Sequence, residues 1–186
     1  MKLTKRICTT AAALITLTSG LAMANDDFLS ALALERAQFT PQQAIEKINT
    51  NFTGNIVEFE LDDHKGKPVY EFEVIDFSQE QINKLKISSD DGTIVKNESK
   101  SMTILGVNRL DEEDRQALTA LNDSEFDLNK SILELSEKFN AQVVEFELEN
   151  EKGITFYKFK LIGDTGTQKV IVDVQTGKVI PIMKHN

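Results

Sequence analysis

Carboxylates dominate the chemistry this chain can offer. Its 186 residues carry 30 Asp and Glu against 21 Lys and Arg, with two His, one Cys and no Trp. The histidines, His64 and His185, are isolated, so neither an HExxH nor another paired-His metal spacing exists. No glycine-rich phosphate loop follows a strand, and no Ser-His-Asp constellation suggests itself. The residue types therefore predict a protein that is not an enzyme, with no cofactor and no bound metal. Asp62-Asp63-His64 and Asp90-Asp91 are the nearest approach to a ligand cluster. Neither follows the alternating Asp/Asn-Gly-Glu spacing of a calcium loop, and adjacent acids are ordinary turn formers.

A sharper pattern lies in Ile56-Val57-Glu58-Phe59-Glu60-Leu61 and Val69-Tyr70-Glu71-Phe72-Glu73-Val74-Ile75. Apolar and acidic residues alternate with period two, as in half-buried strands, and Gly66 marks the turn between them. Placing Leu61 opposite Tyr70, so that the apolar side chains share a face, sets Glu60 against Glu71 and Glu58 against Glu73. Like charges directly opposite cost roughly 0.2 to 1 kcal/mol per pair. Glu58, Glu60, Glu71 and Glu73 are the candidate partner-binding residues: an acidic patch flanked by Ile56, Val69 and Ile75, facing away from the helix and suited to a basic protein surface. A second hairpin, Val143 to Leu148 and Phe156 to Ile162, sets Glu147 against Lys158 and Glu145 against Lys160, so it neutralises itself.

The elements that must position these residues come as one unit built twice. Phe39 to Ile75 slides onto Phe126 to Ile162 without a gap, and thirteen of the 37 aligned positions are identical. Thr40-Pro41, with Gln43 at the capping-box position and Ile45, Ile48 and Phe52 at helical spacing, predicts a helix from about Pro41 to Phe52. Lys84 to Ser88 and Gln168 to Val174 are third strands. Ile94-Val95 and Val179 to Met183 are fourth strands after glycine turns. The fold class is α+β: two tandem repeats, each a helix packed on a small antiparallel sheet of three to four strands. Repeat one spans residues 39–95, repeat two 126–186. Between them, 96–125 form a linker: a polar loop over Lys96 to Ser101, an apolar stretch over Met102 to Val107, and a helix over Asp111 to Leu121.

At the amino end, Lys2, Lys5 and Arg6, an apolar stretch and Ala22-Met23-Ala24 read as a signal peptide over 1–24, which carries away Cys8. An N-terminal segment over 25–38 has a helical pattern with Phe28, Leu29 and Leu32. The expected product is periplasmic or secreted, free of disulfides, and not inserted in a membrane after signal removal. Loss of three basic residues takes the formal charge from -9 to -12. That excess repels nucleic acid and anionic lipid and leaves basic proteins or cations as partners.

Thr40-Pro41-x-x-Ala44-Ile45, the Val-Glu-Phe-Glu-Leu strand, the Lys-Gly turn, the Tyr-x-Phe strand and Asp173-Val174-Gln175-Thr176-Gly177-Lys178-Val179 together resemble the PepSY domain. The first unit ends instead in Ser88-Ser89-Asp90-Asp91-Gly92, keeping only the glycine turn. The resemblance implies a helix on a small antiparallel sheet in an exported or cell-envelope protein. It also implies a kinship with metallopeptidase propeptides, and hence a module that binds and inhibits or regulates a protein partner such as a peptidase. A tandem of such units is similar in topology to beta-lactamase inhibitory protein. The alternative is a small-ligand or cation-sensing periplasmic module acting through the same acids.

Overall fold

The cap at Thr40 starts the first repeat as its sequence requires. The Thr40 amide donates to Gln43 Oε1 at 2.8 Å and the Gln43 amide donates to Thr40 Oγ1 at 3.2 Å, while Pro41 fills the first helical position. The computed structural model describes residues 19–182. The signal-peptide reading falls mainly on residues 1–18, outside the described residues, and so does Cys8. Helix α1 (Ser19–Arg36) precedes α2 (Pro41–Asn51), whose Ala44, Ile45 and Ile48 are buried. Strands β1 (Asn55–His64), β2 (Lys67–Asp76), β3 (Gln81–Ser88) and β4 (Ile94–Ser101) follow. The second repeat runs α4 (Leu128–Phe139), β7 (Ala141–Glu151), β8 (Ile154–Gly163), β9 (Gly166–Asp173) and β10 (Val179–Pro181). Between them lie a two-residue-strand hairpin, β5 (Thr103–Ile104) with β6 (Val107–Asn108), and α3 (Glu112–Asn122).

The two repeats share one antiparallel sheet in the order β10-β9-β8-β7-β1-β2-β3-β4. The first strand of each repeat meets the other at the centre, Glu58 opposite Glu147, Phe59 opposite Phe146 and Glu60 opposite Glu145. The hairpin registers are those the alternation predicts, with Leu61 opposite Tyr70 and Leu148 opposite Tyr157. On one face, Tyr70, Phe72, Phe59, Phe146, Tyr157 and Phe159 form an unbroken aromatic layer with adjacent centroids 5.0 to 5.9 Å apart. Ile45 and Ile48 of α2 and Ile132 and Leu135 of α4 belong to the same buried cluster. Tyr157 spans the seam, its hydroxyl donating to the Ile56 carbonyl at 2.8 Å, whereas Tyr70 stays within its repeat and donates to Phe39 O at 2.7 Å. Both phenols are thus satisfied core groups, and burial raises their pKa.

Three local readings need correction. Val57 does not share a face with Phe59 and Leu61: a bulge between Ile56 and Glu58, matched by one between Val143 and Glu145, turns Ile56 inward. Lys96 to Ser101 is strand rather than loop, paired with β3 from Gln81–Ser101 to Ile87–Ile94. Its residues are nearly all exposed, so no apolar alternation betrays it. Helices also lie on both faces of the sheet. Ile75 and Ile82, which point away from the aromatic layer, cluster with Met102, Leu110 and Leu118, so the linker and α3 cover that end of the second face.

The glycine turn after β3 shows how the repeats diverged. Gly92 and Gly177 both take positive φ, +71° and +65°. A Cβ on Gly92 would sit 2.7 Å from the Phe39 ring, whereas one on Gly177 meets open space. Gly92→Ala should therefore cost at least about 1 kcal/mol more than Gly177→Ala, since the left-handed strain is common to both and only the first adds overlap. Phe146→Ala, which removes a ring touching Phe59, Tyr157 and Phe159, should cost about 3–5 kcal/mol. Denaturant midpoints at constant slope measure all three.

Candidate functional site

Beneath the aromatic layer, the other face of the same strands carries charge in two rows. One runs Glu98, Lys84, Glu73, Glu58, Glu147, Lys158 across β4, β3, β2, β1, β7 and β8; the other runs Lys96, Lys86, Glu71, Glu60, Glu145, Lys160. Strand pairing alone dictates this, because β1 and β7 repeat the same Glu-Phe-Glu and meet across the seam. The four predicted residues, Glu58, Glu60, Glu71 and Glu73, do lie together on one face, and Glu145 and Glu147 join them. Six carboxylates occupy three adjacent strands.

The patch is not uncompensated, as the hairpin alone suggested. Lys84 pairs with Glu73 and Lys86 with Glu71, both from β3, and Lys86 also lies 3.7 Å from Asp62. Lys160 lies 2.8 Å from Asp27 of α1 and 3.7 Å from Glu145. Lys158 faces Glu147 but pairs with Glu149 at 2.9 Å. Repulsion is thereby concentrated at the seam. Among the described residues Glu58 forms no hydrogen bond or ion pair, and it faces Glu73 on one side and Glu147 on the other. Partial burial, then the charges of Glu149, Glu58 and Glu145, raise the Glu147 pKa above 4.5 against the opposing pull of Lys158.

Walls rise at both ends of this floor. Lys160 sits in a carboxylate row, and its bond to Asp27 brings α1 over one end. At the other end α3 supplies Asp114, Ala117 and Leu118, which with Leu110, Glu58, Glu73 and Glu147 line a cavity of about 100 Å³. The result is a trough crossing the strands, with acids on its floor. The expected apolar flank is absent: Ile56, Val69 and Ile75 are all buried. The sequence reading set Glu145 and Glu147 against lysines of their own hairpin rather than beside Glu60 and Glu58, and it did not single out Asp114. The internal repeat held the signal for the first two, since Glu145 and Glu147 occupy the positions of Glu58 and Glu60.

Several other acids serve turns. Asp63 Oδ1 accepts from the Gly66 amide at 3.0 Å, and Asp91 Oδ1 from the Thr93 amide at 3.0 Å. Asp173 Oδ1 accepts from both the amide and hydroxyl of Thr176 at 2.7 Å, which makes the Asp-x-x-Thr-Gly ending a strand connection. Asp76, nearly fully buried, accepts from Ser78, Thr53 and the Gln79 amide, and these bonds hold its pKa at about 2. Among the described residues no three His, Cys, Asp or Glu are arranged to hold a metal, and no helix is long and apolar enough to cross a membrane.

Two helix-on-sheet repeats fused into one sheet, with a charged trough between walls supplied by the N-terminal helix and the linker, define a tandem-repeat α+β module. The chain belongs to the PepSY family, the peptidase propeptide and YPEB domain, whose profile matches residues 39–98 and 130–181. Among solved structures it is similar to a protein described as a lipoprotein from Clostridium difficile 630, at 20% identity and a TM-score of 0.41, covering 80% of this chain and 95% of that one. It is also similar to the YpeB C-terminal domain of Bacillus megaterium, at 17% identity and a TM-score of 0.28, covering 86% of this chain and 65% of that one. Among curated proteins no sequence matches the chain.

The two kinds of carboxylate pull stability in opposite directions with pH. Glu147, with its folded pKa raised, favours folding at low pH and loses that contribution as pH rises through the raised value. Asp76, with its folded pKa depressed, contributes above 3.8 and loses that contribution as pH falls toward about 2. Glu147→Gln should therefore raise the melting temperature at pH 7, the gap closing as pH drops through the mid-4s, whereas Asp76→Asn should flatten the acid limb below about pH 4. Melting curves from pH 2 to 8 check both.

Proposed function

We propose that the protein is an exported, non-enzymatic interaction module that docks on an envelope or secreted protein and restrains or regulates it, a peptidase being the partner the family favours. The observation that carries this reading is Glu58, exposed at the seam between Glu73 and Glu147 and with no ion pair of its own, Lys84 acting on it only at longer range while bonding to Glu73. A fold that needs only the aromatic layer gains nothing from like charges at its central junction, so the row is better explained by a partner that supplies the missing positive charge. Glu60 and Glu145 extend the same floor, and Glu71 and Glu73 carry their lysines at its margin. The amino-terminal signal pattern supports a periplasmic or secreted location, and the net charge of -9 disfavours nucleic acid and anionic membranes. A basic segment lying across the strands fits the trough.

The test is affinity capture from an envelope extract with the protein and with a Glu58→Lys, Glu147→Lys double variant whose fold is checked by circular dichroism. The expected outcome is a partner whose affinity falls about tenfold or more in the variant and whose salt dependence flattens with it. A retained peptidase should lose activity as the protein is added. A partner held equally by both forms at every salt concentration places the contact elsewhere.

A further inference from the structure

Among the described residues three tight turns join strands through an X-Gly pair with both residues at positive φ. They are Lys65-Gly66 (+57°, +78°), Lys152-Gly153 (+54°, +76°) and Leu105-Gly106 (+50°, +80°). Two-residue hairpins of this kind favour Asn, Asp or Gly at the first position, and a left-handed conformation is unfavourable for a bulky apolar side chain. Two of the turns take lysine, a solvated side chain. The third takes leucine, and Leu105 is fully exposed, with Ile104 at 48% and Val107 at 68% on either side. Neither backbone geometry nor core packing asks for this choice.

The hairpin stands on a firm base. Met102 and Leu110, its two feet, are buried against Ile75, Ile82 and Leu118, and the Arg109 amide donates to Met102 O at 2.7 Å. Ile75 and Ile82 lie on the carboxylate side of the sheet, so the hairpin rises from the same side as the trough. The two sheet edges also expose apolar residues, Ile94 at 39%, Val95 at 46% and Ile180 at 45%, but these sit beside Lys96, Glu98 and Lys100 on β4 or on the three residues of β10, and none matches Leu105 at 100% on a projecting tip.

We infer that the Ile104-Leu105-Gly106-Val107 tip is the apolar anchor of the interface, inserting Leu105 into a hydrophobic pocket on the protein whose basic surface fills the trough. The identity of that partner rests on the reading above; the tip as a contact rests on its own observations. Charge argues for a protein rather than a bilayer, because the chain carries a net charge of -9 and the acids outnumber the lysines on this side, which disfavours anionic lipid. Leu105 supplies the apolar burial that hot spots require, and the acids supply orientation.

A benzophenone amino acid is placed at position 105 and, as controls, at 65 and 152, and each protein is irradiated in envelope extract. The expected result is one dominant adduct from position 105 that the controls lack. The partner so identified, once purified, should bind Leu105→Lys at least about tenfold more weakly than the natural chain. Leu105→Lys reproduces the two other turns, so its melting temperature should be unchanged or higher. No adduct, equal adducts at all three positions, an adduct with a second copy of this chain, Leu105-dependent binding to phosphatidylcholine or phosphatidylglycerol vesicles, or unchanged affinity of Leu105→Lys would each overturn the inference. A position-105 adduct that persists in the Glu58→Lys, Glu147→Lys variant sinks the trough and spares the tip. A trough-dependent partner indifferent to Leu105→Lys does the reverse.

Discussion

Everything in this molecule hangs on a seam of three residue pairs. Where β1 meets β7, Phe59 stacks on Phe146 at 5.3 Å on one face, while Glu58 opposes Glu147 and Glu60 opposes Glu145 on the other. Stacking adds about 0.5–1.5 kcal/mol beyond what burying two phenylalanines contributes, and each Glu pair subtracts roughly 0.2–1 kcal/mol. Burial wins by a wide margin, because both rings are fully inaccessible and the carboxylates reach water. The Tyr157 hydroxyl on Ile56 O adds a directional bond across the same junction. Cut here, each half would be a helix on four strands with one side of its aromatic layer exposed.

Much of this was legible because its physics is local. The capping box at Thr40 and the hairpin registers from Glu58 and Glu145 onward each follow from neighbouring residues and survive in the structure, and the period-two alternation holds except at the two bulges. The repeat was legible because its identities sit at buried positions such as Phe59 and Phe146. Other features arise between elements distant in sequence. Nothing in Val143 to Leu148 alone says that β7 pairs with β1, so Glu145 and Glu147 read as partners of Lys160 and Lys158 rather than as neighbours of Glu60 and Glu58. Ile75 read as an exposed flank because the linker that buries it, through Met102 and Leu118, lies well downstream. Val57 misled for a different reason: a bulge moves one residue off the alternation without altering composition.

Duplication explains the symmetry, and the linker explains why the symmetry is broken. Identical Glu-Phe-Glu strands facing each other place like on like, which doubles both the aromatic layer and the acid row. The flanking lysines come from different sources, β3 in one half and β8 in the other, and they bracket the row unevenly, since β3 is the third strand from the seam on its side and β8 only the second on the other. The residues between the repeats then cover one end of the charged face and raise an apolar tip beside it. The second repeat has no counterpart to that insertion among the described residues.

An eight-stranded sheet with two open edges is also a template on which further chains could add. β4 presents Lys96, Asn97, Glu98, Ser99 and Lys100 along its length, and β10 stops after three residues at Pro181, which has no amide hydrogen to offer. Charge along most of one margin and brevity with proline on the other make both borders poor templates for an incoming strand. The sheet grew once, by duplication, and its borders are composed so that it does not grow again into a fibre.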